Sequence, residues 1–331
     1  MIILKGVLST CNVSSIRFLS LQKPRLDRFT RDSLRSRIQK QEAKYQAKAP
    51  PQDGVILADS VPIRPPRDLI KATAFTIGVG VVSYSIASVV QWENHKTLMK
   101  DHFASGFFKS LEGPEKEFKL SAGEKCALFL VVVNCAVTLL WRVKALQPSM
   151  WRYFSNSYAS KSLCAPMVLS AFSHSSFIHL GLNLYVLWTF AQASIDKFLG
   201  TEQFAAFYTT AAAVSSLTSL MHKSLVRSPI RALGASGAIL GVLTYTCCKI
   251  PDARLRIVFI PAFDFSAESA VIGIILFDFA GLVFRFRLFD HAAHLGGALF
   301  GVWYAKWGEE QIWGKWRKDV QRRWHYMTRI D

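Results

Sequence analysis

The chain has 331 residues, 51% of them hydrophobic and only 19% charged, with a positive mean hydropathy. Soluble domains carry charge at nearer a quarter of positions, so a bilayer is the expected solvent. The formal net charge of +17 does not describe a nucleic-acid groove, because the excess lies mainly at the ends: residues 1–66 hold 12 Lys/Arg against 5 Asp/Glu, and residues 306–331 hold 7 against 4. No nucleic-acid partner is expected.

The first 26 residues contain Lys5, Arg17, Lys23 and Arg25, no acid, and several Ser and Thr. That Arg- and Ser-rich, acid-poor composition is that of a mitochondrial transit peptide, with an ordinary disordered basic tail as the alternative. Pro50-Pro51 and Pro65-Pro66 mark an unpacked linker. Of the six cysteines, five fall within or beside apolar runs, with no Cys/His spacing that would build a zinc site. They read as free thiols.

Seven apolar segments follow. Residues 72–90 carry no charge and form a clear span. Residues 93–123 are polar and read as an extramembrane loop. Residues 126–141 make a short second span with Lys125 and Arg142 as anchors. The uncharged stretch 163–195 is too long for one crossing; a helix from about 175 is preceded by a loop, including Trp151-Arg152-Tyr153, that dips into the membrane edge against protein or water. Residues 204–221, 232–248, 270–284 and 291–305 complete the set. The tail from Lys306, with Trp307, Trp313, Trp316 and Trp324 among basic residues, reads as an interfacial amphipathic helix.

Polar groups inside such spans need a reason, because an ionisable side chain at the bilayer centre costs roughly 2.5–3.5 kcal/mol on insertion scales. Ser236 stands near the start of its apolar run, where backbone N–H groups without intrahelical acceptors could hold an oxyanion. Gly237 and Gly241 on that run, and Gly297 and Gly301 on the run carrying His294, form two GxxxG ridges that let backbones approach. The pattern predicts a Ser236 hydroxyl within reach of a His294 base. His179 and Asn183, spaced i, i+4, share one helix face. They read as oxyanion donors, or as a polar pair joining helices.

Gly234-Ala235-Ser236-Gly237, then residues 293–301 (Ala-His-Leu-Gly-Gly-Ala-Leu-Phe-Gly), with His179 and Asn183 upstream, resemble the rhomboid intramembrane serine proteases over about residues 124–307. The span at 72–90, the transit-like leader and the stretch from Phe289 to His294 are similar, more narrowly, to the mitochondrial presenilin-associated branch of that family. The resemblance implies an all-α membrane protein with a six-helix core and one extra N-terminal helix. Its parts would be a leader (1–66), the extra span (67–92), a loop (93–123), the protease core (124–307) and a basic, aromatic tail (308–331). It further implies an inner-membrane enzyme without cofactor or metal, acting on single-pass membrane proteins amid lipid. Ser236 would be the nucleophile and His294 its base; His179 and Asn183 would stabilise the oxyanion, and His174 would help hold the membrane-dipping loop. Many family members carry a tyrosine four residues after the nucleophile, stacked on the imidazole; this chain has Leu240.

Two residues compete for roles around the dyad. His291, three residues before His294, is a rival base, though it lacks the following glycines and would sit near the interface beside Asp290. Asp278, the one carboxylate deep in an apolar run, could orient an imidazole as the acid of a triad does, or serve as a buried structural group. The signature HExxH is absent, whereas a haem- or metal-binding bundle of His174, His179, His291 and His294 would fit the composition. An inactive rhomboid-like binder would be expected to lack the serine or the histidine. Import implies a matrix N-terminus, and seven spans then leave the C-terminus in the intermembrane space, although both ends are basic.

Overall fold

The computed structural model describes residues 64–105, 120–257, 260–286 and 289–328. The expected transit peptide and leader therefore lie outside the described residues, apart from their last three positions. Those three are not an unpacked linker. Arg64 donates from Nε to the Ser160 carbonyl at 2.9 Å and from Nη2 to the Lys161 carbonyl at 2.8 Å, and the Tyr158 hydroxyl donates to the Pro65 carbonyl at 2.6 Å. Pro65 and Pro66 fix the backbone without offering N–H groups of their own, and Arg64 supplies the donors that fasten the segment.

Helix α1, Asp68–Ser105, begins with an acid in its first turn, favourable at the positive end of the helix dipole. It runs on through residues 93–105, which were expected to be loop. The helix continues there because Glu93, Lys96, Leu98, Met99, Lys100 and Ala104 are good helix formers and neither Gly nor Pro interrupts the run until Gly106. Helices α2 (Ala122–Leu140), α4 (Phe177–Ser194), α7 (Ala267–Val283) and α8 (His291–Trp303) each start at a side-chain cap, supplied by Ser121, Ser176, Ser266 and Asp290 respectively. Ser121 and Glu124 satisfy one another's backbone N–H in a capping box. Between α2 and α4 the chain forms α3, Gln147–Tyr153, and a single turn at Pro166–Leu169.

Helix α4 passes through a wider turn at Ile195–Leu199 and reverses at Gly200 into α5, Gly200–Leu225. Helix α6 spans Ser236–Lys249. Three stretches among the described residues are long and apolar enough to cross a membrane by length and composition: Asp68–Asp101, Ala122–Leu140 and Phe177–Leu225. Helices α6, α7 and α8, at 14, 17 and 13 residues, are shorter than the roughly 20 that a lone span requires. The run 232–248 loses its first residues to an extended segment, where Asn156 and Ala232 exchange both backbone hydrogen bonds at 2.7 Å. A short hairpin, β1 (Arg254–Ile257) with β2 (Ile260–Ser266), joins α6 to α7 and was not foreseen among the helices.

Helix α5 is the axis of the packing. Against one side α1 runs antiparallel: Ala72 clusters with Leu220, Ser83 and Thr210 hydroxyls meet at 3.3 Å, and Asn94 donates to Glu202 at 2.8 Å. On the other side lie α6 and α8, parallel to each other. Beyond α8 the chain stays helical through widened turns at Tyr304–Trp316 and into α9, Arg317–Met327. This tail folds back onto α1. Trp313 packs on Tyr84 with ring centroids 6.3 Å apart, Arg317 donates to Gln91 at 2.7 Å, and the Trp324 indole donates to Glu93 at 2.7 Å. Trp313 is buried against α1 and the Trp324 indole N–H finds a carboxylate partner, so amphipathic rings of this kind suit a helix surface as well as a headgroup layer.

Candidate active site

Ser236 is the first residue of α6, so the N–H groups of its turn have no acceptor within the helix and the dipole favours negative charge beside them. The chain arrives there through Gly234, whose φ of +142° is rarely open to residues with a side chain. Gly234 also faces the His179 ring, where an added Cβ would lie 2.9 Å from Cε1. Its own N–H donates to the Ser170 carbonyl at 3.0 Å, and Arg231 donates to the Trp151 carbonyl and the Ser155 hydroxyl, both at 2.9 Å. The segment before Ser236 is thereby tied to the loop between α2 and α4.

His294 sits in the first turn of α8. The backbones of α6 and α8 touch: a Cβ on Gly241 would approach the Gly297 carbonyl at 3.1 Å, and one on Gly301 would collide with the Gly241 carbonyl and Thr244. That approach brings the Ser236 hydroxyl to 2.7 Å from His294 Nε2. A hydroxyl donating to a neutral imidazole nitrogen requires the ring proton to be on Nδ1. The Nδ1 atom lies 3.3 Å from Asp278 Oδ1 on α7, a carboxylate whose side chain is 2% exposed. The three groups therefore stand in the order hydroxyl, imidazole, carboxylate.

The same Oδ1 accepts a hydrogen bond from His291 Nδ1 at 2.7 Å. His291 is buried against the edges of Phe277, Phe286 and Phe289, and its hydrogen bond goes to the carboxylate instead of to Ser236. Asp290 caps α8 by accepting from the Ala293 N–H at 3.1 Å, and accepts from the Ser219 hydroxyl at 2.6 Å and Lys223 Nζ at 2.7 Å. This buried ion pair fastens the histidine helix to α5. Neither Ser219 nor Lys223 stood out in the sequence, since each reads as an ordinary residue of an apolar helix.

His179 accepts or donates at Nδ1 with the Ser175 hydroxyl, 3.3 Å away, and Asn183 donates one amide N–H to the His179 carbonyl at 2.8 Å. The second N–H of that amide is left for another acceptor. His174 is 3% exposed and makes no hydrogen bond through either ring nitrogen among the described residues; its ring meets that of His179 edge-on at 5.1 Å. It holds position by packing. Leu240 presents no ring to His294, and Phe289 takes that place, with centroids 5.8 Å apart and planes at 33°. Phe289 lies outside any helical periodicity, and the stretch that begins with it carried a resemblance without giving its ring a role.

Beside Ser236 is a cavity of about 40 Å³ whose lining includes Asn156, Ser170, Ser215, Ser216, Ser219 and Asp290 as well as the apolar Ala232, Leu233 and Ala293. A space of that size with polar side chains in its lining has room for water. The four histidines fall into two separate pairs, and among the described residues no group of three or more His, Cys, Asp or Glu is placed to hold a metal ion.

The Rhomboid domain family model matches residues 149–308. The chain is 42% identical over 275 residues to presenilin-associated rhomboid-like protein, mitochondrial, of Homo sapiens, covering 79% of this chain and 72% of that protein. It is 35% identical over 183 residues to rhomboid protein 1, mitochondrial, of Saccharomyces cerevisiae, covering 53% of this chain and 51% of that protein. It is 30% identical over 146 residues to rhomboid protease GluP of Bacillus subtilis, covering 43% of this chain and 25% of that protein. The chain belongs to the rhomboid family, as a rhomboid-type serine protease and a predominantly helical, multi-pass membrane protein of mitochondria.

Proposed function

We propose that the protein is an endopeptidase of the mitochondrial inner membrane that cleaves single-pass membrane proteins within or near their spans, using Ser236 and His294 as a dyad. The 2.7 Å contact between Ser236 Oγ and His294 Nε2 carries this reading. His294 takes the hydroxyl proton as Oγ attacks the scissile carbonyl, then gives it to the nitrogen as the C–N bond breaks and the amine leaves. Water next donates a proton to His294 and attacks the acyl ester; the C–Oγ bond breaks and Ser236 recovers its proton. General base catalysis of this kind is worth about 10² to 10⁴ in rate.

The tetrahedral oxyanion is received by the Ser236 N–H and by His179 and Asn183, each donor worth roughly 10² to 10³ in turnover. Asp278 holds His294 in the tautomer that the proton transfer needs. The cavity beside Ser236 supplies space for the water of the second step. A substrate helix must unwind locally, since hydrogen-bonded backbone in lipid hides its carbonyls. The family resemblance suggests small residues at the cut, helix breakers after it, and entry between α4 and α7.

The test incubates purified protein in liposomes with a panel of membrane-spanning peptides. Cleavage by the native chain and none by Ser236→Ala, with unchanged thermal unfolding, supports the reading. Equal cleavage by Ser236→Ala overturns it.

A further inference from the structure

We infer that His291 is a positioning residue for the protease reaction: it fixes the Asp278 carboxylate so that one oxygen faces His294 Nδ1. The inference rests on the dyad reading above and adds a residue that touches neither Ser236 nor the scissile bond.

Of the 17 residues of α7, only Ala267, Val271, Asp278 and Gly281 are buried, and the last two lie against the first turn of α8. Asp278 is the only carboxylate in that helix's apolar run, and its Oδ1 stands 2.7 Å from His291 Nδ1 and 3.3 Å from His294 Nδ1. The carboxyl torsion of an aspartate is broad, so a lone contact at 3.3 Å would not hold it. The shorter bond to His291 does.

His291 can act as that fixture because its own ring has one available orientation. It occupies the space a side chain on Gly281 would need, since a Cβ there would run into the imidazole. The rings of Phe277, Phe286 and Phe289 meet it edge-on, with centroids at 5.5, 6.0 and 6.0 Å. Its Nε2 is buried without a hydrogen-bond partner among the described residues, which places the single proton of a neutral ring on Nδ1, toward the carboxylate. A ring held by packing, with one proton and one acceptor, sets the carboxylate; the carboxylate then sets the tautomer of His294.

The experiment measures kcat and KM separately for the full-length protein in liposomes, with a membrane-spanning fluorogenic peptide, in His291→Leu, His291→Asn and His291→Gln. An asparagine amide reaches the place of Nδ1, whereas a glutamine amide reaches that of Nε2. His291→Leu is expected to lower kcat by about 10- to 100-fold with KM within twofold of native, the scale of a misplaced catalytic group. His291→Asn is expected to recover to within about threefold of native and His291→Gln to stay low. In an Asp278→Asn background, His291→Leu is expected to add no further loss.

Native kcat in His291→Leu, or equal kcat in the asparagine and glutamine variants, overturns the inference, as does a full multiplicative loss in the double variant. Should His291→Leu fail to fold, the asparagine and glutamine comparison decides alone. A Ser236→Ala control run alongside separates the two levels: activity in that control defeats the dyad, whereas its inactivity beside a fully active His291→Leu defeats only the role given to His291.

Discussion

The carbonyl of Gly237 stands where a Cβ on Gly297 would have to go, so α6 and α8 meet backbone to backbone at the residue after Ser236 and about one turn beyond His294. Gly297→Ala must push the two helices apart, and the atom it meets is main chain that cannot rotate away. Overpacking of this kind costs about 1–3 kcal/mol, and a shift of even 1 Å costs about 10²-fold in rate. Thermal unfolding and peptide cleavage should both fall for Gly297→Ala, while Gly314→Ala, whose nearest neighbours would be 3.8 Å away, should behave as native.

Gly234→Ala is expected to harm activity more than stability. The substitution strains a backbone at φ +142° and drives a methyl into the His179 ring, both within two residues of Ser236. A residue forced into such a conformation costs about 1–3 kcal/mol. A cleavage assay should show at least a tenfold loss in kcat while the protein still unfolds cooperatively; native kcat would mean that the loop tolerates another course.

Lys223 and Asp290 form a buried pair, with side chains 8% and 21% exposed. Asp290→Ala removes the cap of α8 and leaves a buried ammonium without its counter-ion, a loss on the order of 3–5 kcal/mol. Lys223→Met combined with Asp290→Asn keeps a cap and removes both charges. The double variant should therefore melt higher than Asp290→Ala, and a lower melting temperature would contradict the assigned role of the pair.

Much of this site could be read from the chain because its chemistry is concentrated in a few residues. Ser236, His294, His179 and Asn183 are polar residues in apolar runs, and the glycines spaced by four announce where helices meet. Phe289 and Lys223 could not be read this way, since an aromatic outside a helix and a lysine at a helix end have no distinguishing pattern. The late start of the helix, at Ser236 instead of residue 232, depended on the Asn156 bridge to Ala232, a contact across 76 residues that periodicity does not encode. The fold of the tail onto α1 was hidden for a related reason. A tryptophan beside basic residues suits a lipid interface and a helix surface equally, and only the partner helix decides.

That last point is testable through two tryptophans. Trp313 is 8% exposed against Tyr84, whereas Trp307 is 59% exposed. Trp313→Ala should lower stability by about 3 kcal/mol, as buried tryptophan truncations do, and Trp307→Ala should leave it nearly unchanged. Equal effects on the melting temperature would place the tail off α1.

The most direct measurement on the dyad is the rate at which a fluorophosphonate labels Ser236 in the native protein and in His294→Ala, both in liposomes and both shown to be folded. The 2.7 Å contact predicts rapid labelling of the native serine and a loss of at least about 100-fold without the imidazole. Labelling of His294→Ala at the native rate would contradict the account, because the hydroxyl would then be reactive without the base assigned to it.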